Sequence, residues 1–590
     1  MQPSHPPRGR LPLLAAALLS FALAGAADAQ PKGDKGKGAK AGVSLNDARA
    51  FKGYTLIAGL NDHKTYLIDM DGRVVNTWES DTNPGASAYL LDNGNLLRSG
   101  SLGSKAPFNI PAVGGRVQEF TWDGKLVWDY TYSTKDRVPH HDITPLPNGN
   151  VLLIISDRKS ASDVLAAGRR PDTVRDHLQV DGLIEVKKTG PKSGEIVWEW
   201  NTLDHIIQDH DKTKPNFGKV SAHPELVDIN YGQGLFGKIV AKKDEADKLR
   251  GLGYLGGPVG KGGGFNPQAD WMHTNAVAYN EELDQIMLSI HAFNEIWIID
   301  HGTSKAEAAS HKGGKQGRGG DLLYRWGNPQ AYRSGTNADQ RLFGQHNAHW
   351  IPKGLPGAGN IIVFNNGMRR PDGNYSSVDE IAPPLTKTGG YERKPGLSFG
   401  PESAEWSYTA PKKSDFYAMV ISGAHRLPNG NTIICSGTNG TVFEVTSSKE
   451  MVWKFVNPSP TRGGGFPGMG GKGTRPPFGG FGTPPGTLLP TFLQDQLKLT
   501  EDQKKQLDEL QKEVTAKLDK MLTEEQRDQL KKMRDFAGGG FGPPGGGGGM
   551  GPGGFGGGGL FRVYRYGVDH PAFAGKTITP GRRIDDVEMK

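Results

Sequence analysis

Six times along the chain a short aromatic strand signature recurs, and an internal repeat constrains a fold more tightly than any composition figure. The copies are residues 74–79 (VVNTWE), 126–131 (LVWDYT), 196–201 (IVWEWN), 322–327 (LLYRWG), 403–408 (SAEWSY) and 450–455 (EMVWKF). Each unit is too small to bury its own apolar face, so successive units must stack on one another. The companion segments are AYLLDNGNLL, HHDITPLPNGNVLLI, HTNAVAYNEELDQIMLSI, HNAHWIPKGLPGAGNIIVF and AHRLPNGNTII. Four of them carry a histidine at or near the start, where a closed ring would bring such residues together.

Each unit reads as strands. TYLIDMDGRVVNTW, VQEFTWDGKLVWDY and TVFEVTSSKEMVWKF run apolar or alternate on both sides of a tight turn, which is the hairpin pattern. Asp71-Gly72 and Asp123-Gly124 supply the left-handed backbone such turns need, and the Asn-Gly pairs at 93–94, 148–149 and 429–430 serve the other hairpin of their units. Six units of about four strands leave fewest exposed edges when closed radially. The expected fold is therefore all-β: a six-bladed β-propeller, with an inserted α-helical hairpin on glycine-rich tethers. A β-sandwich is the alternative, but sandwiches do not repeat one motif six times.

The chain has 590 residues. Arg8 and Arg10 precede LPLLAAALLSFALAGA and an Ala27-Asp28-Ala29 site, so residues 1–29 read as a signal peptide and the protein as periplasmic or secreted. An uncleaved anchor is the competing reading, disfavoured because the run is shorter than a ~20-residue span. No membrane span is expected after cleavage. Residues 30–50, with PKGDKGKGAK, read as a flexible linker. Cys435 is the only cysteine, so stability must come from packing rather than an internal disulfide. Net charge is +7, but the basic residues are scattered, and nothing points to nucleic-acid binding.

The propeller is expected over 51–458, with its strand pattern lapsing through 203–270. Glycine- and proline-rich linkers at 459–487 and 535–559 flank an apolar helical period at 488–534. Thr500 with Gln503, and Thr523 with Gln526, fit the T-x-x-Q capping box, so two helices are expected. This segment resembles the LTxxQ helical repeats of periplasmic stress proteins. LFRVYRYG, within 560–590, returns to strand character and is expected to close the ring against the first blade.

The residues able to carry chemistry are His140 and His141 (PHHD), His273 with Asn275 (WMHTN), His291 (SIHAFNE), His346 and His349 (GQHNAHW) and His425 (SGAH). Singly, each could be a structural hydrogen bond between blades. Together at the channel mouth they would supply a nucleophile, acid–base groups and hydrogen-bond donors.

The blade repeat, His273-Thr274-Asn275, Gln345-His346 and the LPNGN hairpins resemble the bacterial aryl-sulfate sulfotransferases over 51–458 and the closing strand. The resemblance implies transfer of a sulfuryl group from an aryl sulfate to a phenolic acceptor, with no nucleotide donor and no cofactor or metal. It implies His346 as the nucleophile that becomes sulfated, with His273 and His141 as further catalytic histidines. Asn275, His140, His291, His349 and His425 would bind substrate, and a homodimer is an assembly it allows. In that family an arginine follows the H-x-N motif. Here QIMLSIHAFNEIW offers His291 instead, with Arg369 or Arg370 as candidate replacements from the next blade. The family's cysteine pair is also missing.

Two other readings compete. Asp204-His205, Asp209-His210-Asp211 and His223-Pro224-Glu225 could ligate a metal in a hydrolase or lyase. The other is a non-catalytic envelope propeller whose tethers present the helical hairpin to partners.

Overall fold

The computed structural model describes residues 41–232 apart from 109, 269–458, 559–586, and, in the helical insert, 499–527 apart from 525 with a few positions between 488 and 497. The expected signal peptide, both glycine-rich linkers and the end of the chain lie outside them, except at the edges. The chain divides into two units, one holding the blades and one holding the helix.

Six sheets form the blades of a β-propeller. Blade 1 comprises Tyr564–Gly567, Gly53–Ala58, Lys64–Ile68 and Val74–Glu79. Blade 2 comprises Pro84–Leu90, Leu96–Ser101, Gly115–Phe120 and Leu126–Thr131. Blade 3 runs Arg137–Pro145, Val151–Ser160, His177–Gly190 and Ser193–Asn201, and blade 4 runs Thr274–Asn280, Gln285–Ile290, Glu295–Asp300 and Tyr324–Trp326. Blade 5 is His346–Trp350, Ile361–Asn365, Ser377–Ile381 and Trp406–Tyr408. Blade 6 is Gly423–Arg426, Thr432–Ser436, Thr441–Val445 and Met451–Val456. All neighbouring strands within the blades pair antiparallel.

The aromatic signature marks the outermost of these four strands in every blade, and its tryptophan explains the repeat. The indole Nε1 of Trp78 donates to Thr121 O (2.9 Å), that of Trp128 to Ser193 O (3.1 Å) and that of Trp198 to Thr303 Oγ1 (3.0 Å). Trp326 donates to Pro401 O (2.8 Å), Trp406 to Ser447 O (3.0 Å) and Trp453 to Met70 O (2.9 Å). Each acceptor sits in the connection between the third and fourth strands of the next blade or, for Ser193, at the start of the fourth, and the sixth bond returns to blade 1. A tryptophan suits the position because it offers a large apolar body to the seam and one donor to satisfy an oxygen there, a backbone carbonyl in five blades and the Thr303 hydroxyl in one. Between blades the faces pack on apolar side chains, as where Leu97, Val117 and Trp128 meet Ile143, Leu153 and Ile184.

Both chain ends lock the ring. Tyr564–Gly567 pairs with Gly53–Ala58 as the innermost strand of blade 1, as LFRVYRYG implied. Arg565 of that strand forms a buried ion pair with Glu444 of blade 6. The linker expected over 30–50 needs correction: Gly42–Asn46 is a strand that pairs with Met451–Val456 as a fifth, outer strand of blade 6. The lysine- and glycine-rich run ends before this strand, and GVSLN itself offers only two alternating apolar residues, Val43 and Leu45, too short a pattern to announce a strand, so pairing with the last strand of blade 6 decides it.

In the second unit, Glu501–Met521 is a 21-residue helix capped by Thr500, whose hydroxyl accepts from Gln503 N while Gln503 reaches back to Thr500 N. The same reciprocal pair recurs at Thr523 and Gln526 (3.1 and 3.3 Å), starting the expected second helix, whose body lies outside the described residues. No described helix is long and apolar enough to cross a membrane.

Candidate active site

The inner strands of blades 3, 4 and 5 each break register against the second strand near their start. At these breaks, or in blade 4 just before it, one non-glycine residue takes a left-handed backbone: His141 (φ 53°), His273 (φ 52°) and Asn347 (φ 54°). Such bulges turn consecutive side chains toward the same side and are common beside functional sites. Their effect here is a row of imidazoles from three adjacent blades. Ring centroids of His141 and His273 lie 4.5 Å apart, His273 and His291 5.2 Å, and His291 and His346 5.3 Å. All four residues are buried.

His346 is held in one tautomer. The amide nitrogen of Asn366 donates to Ala418 O (2.7 Å) and Ile421 O (2.9 Å), so its oxygen must face His346. That oxygen lies 2.8 Å from His346 Nδ1, which therefore carries the hydrogen. Nε2 keeps its lone pair and accepts Ile421 N–H at 3.2 Å. Burial, only partly opposed by the Asn366 bond, lowers the His346 pKa to about 3. The ring is thus neutral throughout the physiological range, with an unprotonated Nε2.

His273 is oriented by a carboxylate that no sequence motif announced. Asp270 Oδ2, fully buried, lies 2.6 Å from His273 Nδ1. His140 and His141 share a proton between their Nδ1 atoms (2.7 Å), and His140 Nε2 lies 3.2 Å from Asp181 Oδ1. Burial, reinforced by the neighbouring histidines, pushes the pKa of His141 well down. His291 is the unusual member. It is buried, its pKa is likewise lowered by burial, and among the described residues neither ring nitrogen has a hydrogen-bond partner. An unpaired buried polar group of this kind is costly unless a ligand completes it.

Asn275 Nδ2 donates to Gln345 O at 2.7 Å, joining the H-x-N and Q-H segments, while its oxygen is buried and has no partner among the described residues. His349 and His425 stand apart from the row. They pair with each other (3.2 Å) and His425 lies against Tyr564 (4.2 Å between ring centroids), lining a separate cavity of about 390 Å3 with Tyr89, Tyr279 and Arg562. Two residues and a bulge separate His349 from His346, enough to send the two rings to different places.

The cation near the row comes from the closing segment. Arg562 is buried, its Nη1 2.8 Å from Asp142 Oδ2 and its Nη2 3.2 Å from Asn275 O. Burial works against its charge, but Asp142, Tyr564 and Tyr89 more than offset this and its pKa is raised. Arg370 is engaged elsewhere, with Tyr375 O and Ser377 Oγ, and stacks over Phe343 and Tyr375. Of the runs suggested as metal ligands, Asp209 pairs with Arg333, Asp211 bonds Thr213, and His223 pairs with Glu225.

Fold and site together define a propeller with a histidine-lined axis. Residues 46–459 match the family described as arylsulfotransferase (ASST), and the chain belongs to that family. It is 25% identical over 336 residues to the arylsulfate sulfotransferase AssT of Escherichia coli O6:H1 (strain CFT073), a match covering 55% of this chain and 50% of that protein. The AssT of Lelliottia amnigena is 25% identical over 335 residues, with the same coverage of 55% and 50%. The chain thus spans about half the length of the curated relatives it matches. Among solved structures, a Bacteroides caccae protein of unknown function gives a TM-score of 0.34 at 11% identity, covering 68% of this chain and 93% of that one. Virginiamycin B lyase from Staphylococcus aureus gives 0.30 at 10%, covering 70% and 87%. Likeness at that level bears on neither fold nor function.

Proposed function

We propose that the protein is an exported aryl-sulfate sulfotransferase that works without a nucleotide donor, by way of a sulfated His346. The observation that carries this reading is the fixed Nδ1–H tautomer of a neutral, buried imidazole, which leaves the Nε2 lone pair as the available nucleophile. Nε2 attacks the sulfur of an aryl sulfate, the S–O bond to the ring breaks, and the phenolate leaves. His273, oriented by Asp270 and with His141 packed against its ring, supplies a proton to the departing oxygen. In the second half, that group takes the proton of an acceptor phenol as its oxygen attacks sulfur and the N–S bond breaks. Acid–base help of this kind contributes ~10²–10⁴-fold.

Charge on the sulfuryl oxygens wants fixed donors. His291, with two unpartnered ring nitrogens, and the Ile421 N–H that now rests on Nε2 supply them. Arg562 gives the site a permanent positive charge in place of the arginine expected after the H-x-N motif. The AssT relatives are named arylsulfate sulfotransferases, which accords with this assignment. The test is transfer from 4-nitrophenyl sulfate to a simple phenol without nucleotide. Wild-type protein should turn over and His346→Ala should not; a folded wild type that fails to transfer overturns the reading.

A further inference from the structure

Away from the histidine row, three side chains converge where no function has been assigned. His205 ends the short 3-10 turn Thr202–His205 that follows blade 3. His311 and Asp321 belong to the loop that follows the short helix Lys305–Ala308 of blade 4. Asp321 Oδ1 lies 2.8 Å from His205 Nδ1 and 2.7 Å from His311 Nδ1, and the three atoms fall within 4.8 Å of one another. His205 and Asp321 are buried, whereas the His311 side chain is 57% exposed.

The second nitrogen of His205 makes the arrangement informative. Nε2 lies 2.8 Å from Ala308 O, which can only accept, so Nε2 carries a hydrogen. In a neutral ring Nδ1 then presents a lone pair directly at a carboxylate oxygen. Something positive must lie between them, a second proton or a metal ion. A ring N–H held by a backbone carbonyl is the usual outer support of a metal-ligating histidine.

The ring is also built into place. Trp200 lies parallel to it (5.6 Å, 3°) and donates from Nε1 to Gly320 O at 2.8 Å. A side chain at Gly320 would sit 2.6 Å from His205 Nε2 and 2.1 Å from Ala308 O, so glycine is needed for this close approach.

We propose that His205 Nδ1, His311 Nδ1 and Asp321 Oδ1 bind one divalent ion of the zinc class. Two imidazoles and a carboxylate suit zinc, with ligand distances of about 2.0–2.2 Å and a fourth position left open. His311, exposed on its glycine-rich loop, has the freedom to open the donors to that spacing. Beside it a cavity of about 500 Å3, lined also by Asp204 and His223, has room for a water ligand. The ion would clasp the segment after blade 3 to the blade 4 loop, a structural role independent of sulfuryl chemistry.

The test uses the full chain after dialysis against a chelator, titrated with Zn2+ in competition with a chromophoric chelator, and with Co2+ for its visible spectrum. One equivalent should bind, Co2+ should give a tetrahedral spectrum, and zinc should raise the Tm. His311→Ala, an exposed change that leaves the fold intact, and Asp321→Asn should each weaken binding by about 10–100-fold and remove the Tm shift. His291→Ala, in the axial row, should leave it unchanged. Absence of saturable binding by folded wild type would show that a proton bridges His205 and Asp321, and would overturn the proposal. Binding that survives both His311→Ala and Asp321→Asn would overturn it as well.

Discussion

Acidification from about pH 7.5 to about pH 5 should destabilise the propeller through its buried histidines, and His346 gives the magnitude. In the folded protein its pKa is lowered, chiefly by burial, to about 3. In the unfolded chain it returns to ~6.5. Near pH 7.5 both states leave the ring neutral, and its contribution is fully present. As pH falls below ~6.5 the unfolded chain binds a proton that the folded site refuses, and stability drops until pH passes through about 3. At pH ~5 the gap is ~1.5 units, worth ~2 kcal/mol at ~1.4 kcal/mol per unit. His349, lowered to about 4 mainly by burial, adds a similar amount over the same interval. The assay is urea unfolding followed by tryptophan fluorescence at the two pH values, for wild type and His346→Gln. The variant should lose ~2 kcal/mol less than wild type across the interval, whatever its stability at neutral pH. Equal losses in the two proteins would refute the burial of a neutral imidazole at this position.

Asn366→Ala should lower kcat about 10–100-fold with little change in KM, since it frees His346 to rotate and exchange its proton without touching substrate contacts. Steady-state kinetics with 4-nitrophenyl sulfate read this directly. Trp453→Phe should cost about 1–3 kcal/mol in urea unfolding, because it strips the sixth interblade bond from a fully buried position and leaves Met70 O unpaired. Trp406→Phe, at a partly exposed seam, should cost less. Arg562→Met should cost about 3–5 kcal/mol by leaving Asp142 buried without its cation, and adding Asp142→Leu should recover part of that loss. Excision of residues 461–558 should leave sulfuryl transfer intact, whereas loss of transfer by a folded product would tie the helical unit to turnover.

The architecture was legible because its two repeated elements carry local signals. The tryptophan of each outer strand and the Asn-Gly or Asp-Gly turns announce themselves within a few residues, and the glycines at 72, 94, 124, 149 and 430 do adopt positive φ. The edge strand Gly42–Asn46 had only the brief Val43/Leu45 alternation, because what makes it a strand is pairing with the distant last strand of blade 6. The site was half legible for a similar reason. Histidines at the heads of successive units could be seen to converge, and His141, His273 and His346 do, with His291 joining them from the end of the second strand of blade 4. Their orienting groups could not be seen. Asn366 lies 20 residues from His346, and Arg562 reaches the row only through ring closure. Asp270, three residues from His273, looked like any loop carboxylate. His349 and His425 share the histidine pattern yet face another cavity: a register break redirects His349 without changing composition, and the inner strand of blade 6 that carries His425 has no such break to turn it toward the row.

The central claim is that sulfur passes through His346 Nε2. Rapid mixing of the protein with excess 4-nitrophenyl sulfate and no acceptor, followed by alkaline quench and peptide mass spectrometry, tests it most directly. The account predicts one sulfuryl adduct per chain on the peptide containing His346, discharged on adding a phenol and missing from His346→Ala. Phenol sulfation without any such adduct, or an adduct on another histidine of the row, would contradict it.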